Sequence, residues 1–235
     1  MTESLNCSRH GRYAVVAFCI ALITGVRAQE TITYPDGAVY EGEVRDGVIN
    51  GQGTMRWTTG DVYTGAWLNA EQNGNGTLQW ANGEKYTGAW SKGLKHGEGT
   101  QTWPDGGEYV GSWANDTQEG NGHMRWANGD EYSGNWKNGV QHGDGVMQWT
   151  TGIRYTGQWQ QGTQHGVGLQ TWEDGATYDG GWVSGAHEGT GTMHWANGEV
   201  YVGEWKAGLQ HGQGTMHYAD GTVAEGTFTN GVFGK

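Results

Sequence analysis

From residue 34 onward the chain alternates large apolar and small or polar positions, and clusters of Gly, Asn and Asp break the alternation at fixed intervals. In Tyr63-Thr-Gly-Ala-Trp67, residues 63, 65 and 67 share one side, because side chains along a strand point alternately to opposite faces. The next segment repeats the rule with Gly76, Leu78 and Trp80. Alternation over such short spans, bounded by turn residues, predicts strands and hairpins. The marker tyrosine returns at 40, 63, 86, 109, 132, 155, 178 and 201, a step of 23 residues with no insertion. A fixed period of this length makes the chain a repeat architecture.

Two further aromatic columns run in phase with the tyrosine. One is Tyr34, Trp57, Trp80, Trp103, Trp126, Trp149, Trp172, Trp195 and Tyr218. The other is Val44, then Trp67, Trp90, Trp113, Trp136, Trp159, Trp182 and Trp205, then Phe228. All 14 Trp fall in these two columns, and aromatics placed so strictly are structural first. A middle column reads Met55, Leu78, Gln101, Met124, Met147, Gln170, Met193 and Met216. One face is therefore aromatic, Gly and mostly Met, and the other carries Thr, Ala, Gln, Asp and His. Glycine inside a strand marks close approach of another group, here the rings of neighbouring strands over bare backbone.

Gly93-Leu-Lys-His-Gly97 and Asn82-Gly83, with their equivalents, read as turns, since Gly, Asn and Asp accept positive φ. Each repeat is then one hairpin of two short strands, and each new repeat adds another. Strands about 4.8 Å apart give a rise of roughly 9–10 Å per repeat and a body on the order of 80 Å long. A single hairpin is marginal, and stacking buries the aromatic face. The ends differ: Tyr34-Pro-Asp-Gly37 opens the array, and residues 224–235, with Ala224 and Phe228 in aromatic columns, form a truncated capping copy.

Composition agrees. Gly is 46 of 235 residues and Pro only two, a balance suited to strands and tight turns. The first 28 residues form a separate population. Arg9 and Arg12 precede a 14-residue run from Tyr13 to Val26, which Arg27 and Ala28 follow. A basic start, a short apolar core and a small residue make a secretory signal peptide over 1–28, with the repeat array at 29–235. The alternative is an uncleaved membrane anchor, but a spanning helix needs about 20 residues. Phe18 before Cys19 is too bulky for a lipoprotein cleavage site. Cys7 and Cys19 both lie in this segment, so the mature chain would hold neither a disulfide nor a thiolate metal site. Localisation is thus expected in a periplasm, at a cell surface or outside the cell. Loss of Arg9, Arg12, Arg27 and Glu3 would leave 10 basic and 24 acidic residues, or −14. That charge opposes nucleic acid and anionic lipid.

Tyr-x-Gly-x-Trp, then Gly-x-x-His-Gly-x-Gly and Asp/Asn-Gly, resembles the MORN repeat. The resemblance covers about residues 34–235. It implies an all-β fold, an elongated, twisted single-layer antiparallel sheet. It also implies non-catalytic work: scaffolding, protein–protein contact and, in some members, contact with membrane lipid. The His column departs from the pattern, since His96, His142, His165 and His211 alternate with Asn50, Asn73, Glu119 and Glu188. A position that accepts this exchange is a turn hydrogen-bonding group rather than a shared ligand.

Candidate chemistry is correspondingly thin. Equivalent residues of adjacent repeats, such as His142 and His165, stand about 9–10 Å apart, whereas zinc needs ligand atoms about 2 Å from one ion. The acid pairs Asp130-Glu131 and Glu173-Asp174 place their side chains on opposite faces. No cofactor, metal or catalytic residue is expected, and the Gly-x-Gly triplets open no helix that could bind phosphate. The expectation is an exported, non-catalytic protein-binding or scaffolding module. Its partner would be another protein or a second copy, met along a groove or at strand edges. Trp67, Trp90, Trp113, Trp136, Trp159 and Trp182 are expected to line that groove, chiefly as architecture. Polysaccharide binding along an exposed aromatic ladder is the rival. Membrane lipid ranks third, because Lys85, Lys92, Lys95 and Lys137 are scattered among acids.

Overall fold

The structure, a computed structural model, describes residues 28–234. The expected signal peptide, with both cysteines, lies outside the described residues except for Ala28. All regular structure among the described residues is strand, in two compact units that divide between Thr117 and Gln118. The first unit holds β1 (Ala28–Thr33), β2 (Val39–Arg45), β3 (Val48–Arg56), β4 (Val62–Leu68), β5 (Glu71–Gln79), β6 (Lys85–Ser91), β7 (Leu94–Thr102) and β8 (Glu108–Ala114). The second begins with all but the first residue of β9 (Thr117–Arg125), followed by β10 (Glu131–Lys137), β11 (Val140–Gln148) and β12 (Arg154–Gln160). It continues with β13 (Thr163–Thr171), β14 (Thr177–Val183), β15 (Ala186–His194), β16 (Val200–Lys206), β17 (Leu209–His217), β18 (Val223–Thr229) and the short β19 (Val232–Phe233). Within each unit every strand pairs antiparallel with its neighbours in sequence, giving a sheet of stacked hairpins. The all-β hairpin array is the fold that the alternation predicts.

Two kinds of turn alternate. Between β6 and β7 the turn is only Lys92-Gly93, with φ of 52° and 77°. Positive φ at both centres is the primed geometry whose twist matches antiparallel strands. Successive turns are tied together, since Gly93 N–H donates to the Gln72 carbonyl at 2.9 Å. Between β5 and β6 the turn is longer. Trp80 N–H donates to Glu84 O at 2.9 Å, and the Asn82 side chain accepts from Glu84 N–H at 2.9 Å. The expected turn over 93–97 is therefore shorter than the sequence pattern implied. Leu94, Lys95 and His96 belong to β7, and Gly97, at φ 58°, is a strand residue. It lies beside the β-bulge where the β6–β7 register shifts between Gly88 and Ala89.

The bulge explains the consensus. Across the first unit Gly53, Gly65, Gly76, Gly88 and Gly99 pair in one row. A Cβ on Gly76 would collide with the Tyr63 hydroxyl, so the rings do lie on bare backbone. The bulge frees the carbonyl of Ala66, and the Tyr63 hydroxyl donates to it at 3.0 Å. Trp67 Nε1–H donates to the Gly53 carbonyl at 3.2 Å, and Trp90 does the same to Gly76. Each motif residue thus answers for a backbone group that would otherwise be buried and unpaired. The tyrosines at 40 through 201 are 0% exposed.

Candidate functional site: the aromatic face

The Trp column that follows each Tyr is core. Exposure is 5% at Trp67, Trp90, Trp113 and Trp136, 6% at Trp159 and 3% at Trp182. Trp90 meets Tyr63 and Tyr86 edge-on, with ring centroids 5.4 and 5.0 Å away, and the same T-shaped contacts recur down each unit. Such packing suits the ring quadrupoles, positive edge against negative face. Burial also pushes the hydroxyl pKa of Tyr155 up to about 12, so these phenols stay protonated and donate. These rings leave little surface for a ligand.

The other Trp column behaves differently. Trp57, Trp80, Trp103, Trp126, Trp149, Trp172 and Trp195 stand at the ends of their strands, where the longer turns begin, and all are half-buried. They border the aromatic face on its long-turn side.

Between the two columns lies a row of polar side chains that the sequence pattern did not single out. Because the short turn has two residues, Trp67 pairs with Gln72, Trp90 with Lys95, Trp159 with Gln164 and Trp182 with His187. Cross-strand partners share a face, so these residues lie over the tyrosines. In the first unit Lys95 Nζ sits 4.2 Å from the centre of the Trp113 ring and 5.9 Å from that of Trp80. It also donates to Gln101 Oε1 at 3.3 Å, and Gln101 is 2% exposed. Burial pulls the pKa of Lys95 down, and the nearby carboxylates of Asp116 and Glu84 push it back up.

Three repeats further on, in the second unit, the same positions are Trp149, Ile153, Gln164, Gln170, Trp182 and Gly185. Gln164 Nε2 donates to Gln170 Oε1 at 3.1 Å, so the polar pair is kept with an amide in place of the ammonium. The shorter side chain leaves an open notch of about 360 Å³, walled by Trp149, Trp182, Ile153 and His187. His187 stacks on Tyr178, with centroids 3.6 Å apart and planes 13° from parallel. Burial holds its pKa down to about 4, so it is neutral at physiological pH. Its Nδ1 is buried and has no hydrogen-bond partner among the described residues.

The family model of the MORN repeat matches residues 40–62, 63–85, 86–108, 109–131, 132–154, 155–177, 178–200 and 201–223. The chain belongs to the MORN repeat family. No curated protein matches it. Solved structures similar to the MORN array include one from a structural analysis of the microcephaly protein CPAP G-box domain. It is 13% identical over 86% of this chain and 100% of that one, with a TM-score of 0.42. The TCP domain of Drosophila melanogaster SAS-4 (dCPAP), in complex with a proline-rich motif of Ana2 (dSTIL), is 9% identical over 91% and 99%, with a TM-score of 0.36. The wild-type TCP10 domain of Danio rerio CPAP is 15% identical over 85% and 100%, with a TM-score of 0.30.

The opposite face of the MORN array is small and polar. Thr54 meets Thr64, and Thr77 meets Thr87, each with hydroxyls 3.0 Å apart. The variable His/Asn/Glu column serves the short turns. Glu119 accepts from Asn138 N–H at 3.0 Å and Glu188 from Ala207 N–H at 2.9 Å, each in the following repeat. Among the described residues no cluster of three His, Cys, Asp or Glu is placed to hold a metal ion, and no helix is long and apolar enough to cross a membrane.

Proposed function

We propose that this chain is an exported, non-catalytic scaffold that binds another protein along the long-turn border of its aromatic face. MORN repeats are generally protein- or membrane-binding modules. One observation carries the choice of surface. A half-buried column, Trp57, Trp80 and Trp103 in the first unit and Trp126, Trp149, Trp172 and Trp195 in the second, repeats at every hairpin within each unit. Tryptophan with one exposed face is the side chain most enriched at the energetic centres of protein interfaces. The inner Trp column, Trp67 through Trp182, would set the spacing of that surface and not touch the partner. A protein is favoured over an anionic membrane because the formal charge is −12 and the basic residues are scattered among acids along the sequence. Export rests on the basic, apolar and small-residue succession of residues 1–28.

Photo-crosslinking in the native host tests the surface. A benzophenone amino acid at position 103 should capture a discrete protein adduct, and the same group at position 87, on the threonine face, should not. Equal capture at both positions, or none at either, would refute the assignment. N-terminal sequencing of the mature protein tests export, with a start at Gln29 expected and a start at Met1 refuting it.

A further inference from the structure

The two equivalent notches form an internal experiment on what this face accepts. In the first unit the place between Trp80 and Trp113 is taken by the chain's own Lys95, whose ammonium lies 4.2 Å from the centre of the Trp113 ring and 5.9 Å from that of Trp80 and reaches Gln101. Two carboxylates, Asp116 and Glu84, make that burial of charge acceptable. In the second unit the aromatic walls and the buried-side amide are kept, but Lys95 is replaced by Gln164, Glu84 by Ile153 and Asp116 by Gly185. The cation and both its counter-charges have gone together, and an open space remains.

That substitution pattern decides the ligand class. An ammonium entering the second notch would lose its hydration shell with no carboxylate to replace it, a cost that a ring face repays only in part. An anion would meet no Lys or Arg in the lining. A purely apolar group would cover the amides of Gln164 and Gln170, whose hydrogen bond to each other leaves further donors and acceptors unmet. What matches the lining is an uncharged ring with an apolar C–H face for the Trp149 indole and hydroxyls around its rim for the amides. Indole faces are electron-rich and attract weakly positive C–H groups, and amides both donate and accept, as hydroxyls do. The volume, about 360 Å³, falls at the small end of ligand pockets.

We propose that the notch between Trp149 and Trp182 is a saccharide subsite that takes one neutral sugar ring, with the half-buried Trp149 as the stacking wall, the buried Trp182 at its base, and Gln164 and Gln170 as hydrogen-bonding groups. The site is local to the second unit and does not depend on a protein partner. It is also unlike a binding ladder of the inner Trp column, whose rings are buried.

The test uses the purified full-length mature chain and indole N–H resonances, with Trp149 and Trp182 assigned by substitution. The probes are neutral trisaccharides of glucose, N-acetylglucosamine and xylose at millimolar concentration, with lysine amide as the cationic control. At least one saccharide should shift the Trp182 and Trp149 signals in a saturable manner, and lysine amide should not. Gln164→Lys combined with Gly185→Asp rebuilds the arrangement of Lys95 and Asp116, which the first unit already tolerates, and should abolish the shifts while the thermal melt stays cooperative. Gln170→Met, the residue common in that column, should weaken the response at least several-fold. No response to any of the saccharides, an undiminished response in the double variant, or a stronger response to lysine amide would each overturn the proposal. Because no crosslink is read, failure here is distinct from failure of the protein-binding surface.

Discussion

Trp90→Ala is the substitution that examines the architecture most directly. The side chain is 5% exposed, and it touches Tyr63 and Tyr86 edge-on at 5.4 and 5.0 Å. Its Nε1–H donates to the Gly76 carbonyl at 3.2 Å. Each aromatic contact adds about 0.5–1.5 kcal/mol beyond the buried area, and the hydrogen bond about 1 kcal/mol. Together with the cavity left behind, removing a buried indole should cost about 3–5 kcal/mol. Trp90→Phe keeps most of the ring but leaves the Gly76 carbonyl unpaired, and should cost about 1–3 kcal/mol.

The ring links one hairpin to the next, so the effect should also be visible in cooperativity. In a repeat array, stability is a sum of repeat terms and nearest-neighbour terms. Weakening one neighbour term should broaden the urea transition and lower its slope, since less surface is exposed in each step. Urea unfolding followed by far-UV circular dichroism reads the free energy and the slope, and hydrogen exchange reads the amides of Gly74–Gly76. A loss below about 1 kcal/mol with unchanged exchange would refute the reasoning, because a ring so placed would then be ornamental.

Four further outcomes follow from the same geometry. Tyr155→Phe removes the hydroxyl that donates to the bulged Gln158 carbonyl at 2.9 Å, and denaturant unfolding should show a loss of about 1–3 kcal/mol. Gly99→Ala would drive a methyl into the Tyr86 ring and should cost more than the roughly 1–3 kcal/mol of ordinary overpacking. Gly106→Ala, where the added methyl meets nothing but φ is +92°, should cost only about 1–2 kcal/mol in the same assay. Burial holds the pKa of His187 at about 4 against an ordinary 6.5. Between those values the unfolded chain binds the extra proton and the folded chain does not, so stability falls as pH drops from 6.5 toward 4. His187→Gln, the residue standing at several equivalent positions, should flatten the melting temperature across that window relative to the parent chain.

Most of the fold was legible because each large side chain is repeated with its spacing. Tyr, Gly and Trp at alternate positions announce one buried face, and the row of paired glycines under the tyrosine rings is the packing that the pattern requires. The misreading was local. Gly93 and Gly97 bracket Leu-Lys-His, and two glycines so close together look like a loop. In fact Gly93 completes a two-residue turn, whereas Gly97 takes its positive φ inside β7, beside the bulge. Counting 94–97 as loop hid the strand pairing of Trp90 with Lys95, and with it the whole polar row. The two Trp columns also looked equivalent in sequence. They part company because one lies within its strand beside the short turn, packed edge-on by tyrosines, and the other lies just past a strand end, where the longer turn leaves it half-covered.

The repeat therefore explains the scaffold and, for the same reason, says little about what this particular scaffold binds. Eight matches to one pattern mean that any feature shared by all eight is accounted for by packing. Specificity must lie in the departures. On the aromatic face they are few: Gln101 and Gln170 replace Met or Leu, Lys95 and His187 interrupt a column otherwise mostly Gln, and Ile153 stands where the first unit has Glu84. In the first unit the departures compensate one another, because the lysine, its amide partner and two carboxylates close the notch they create. In the second they leave a neutral opening between two indoles. A substitution that merely drifted would be expected to fill such a space with the Met that serves elsewhere. An amide pair held open between aromatic walls is the departure that packing alone does not explain.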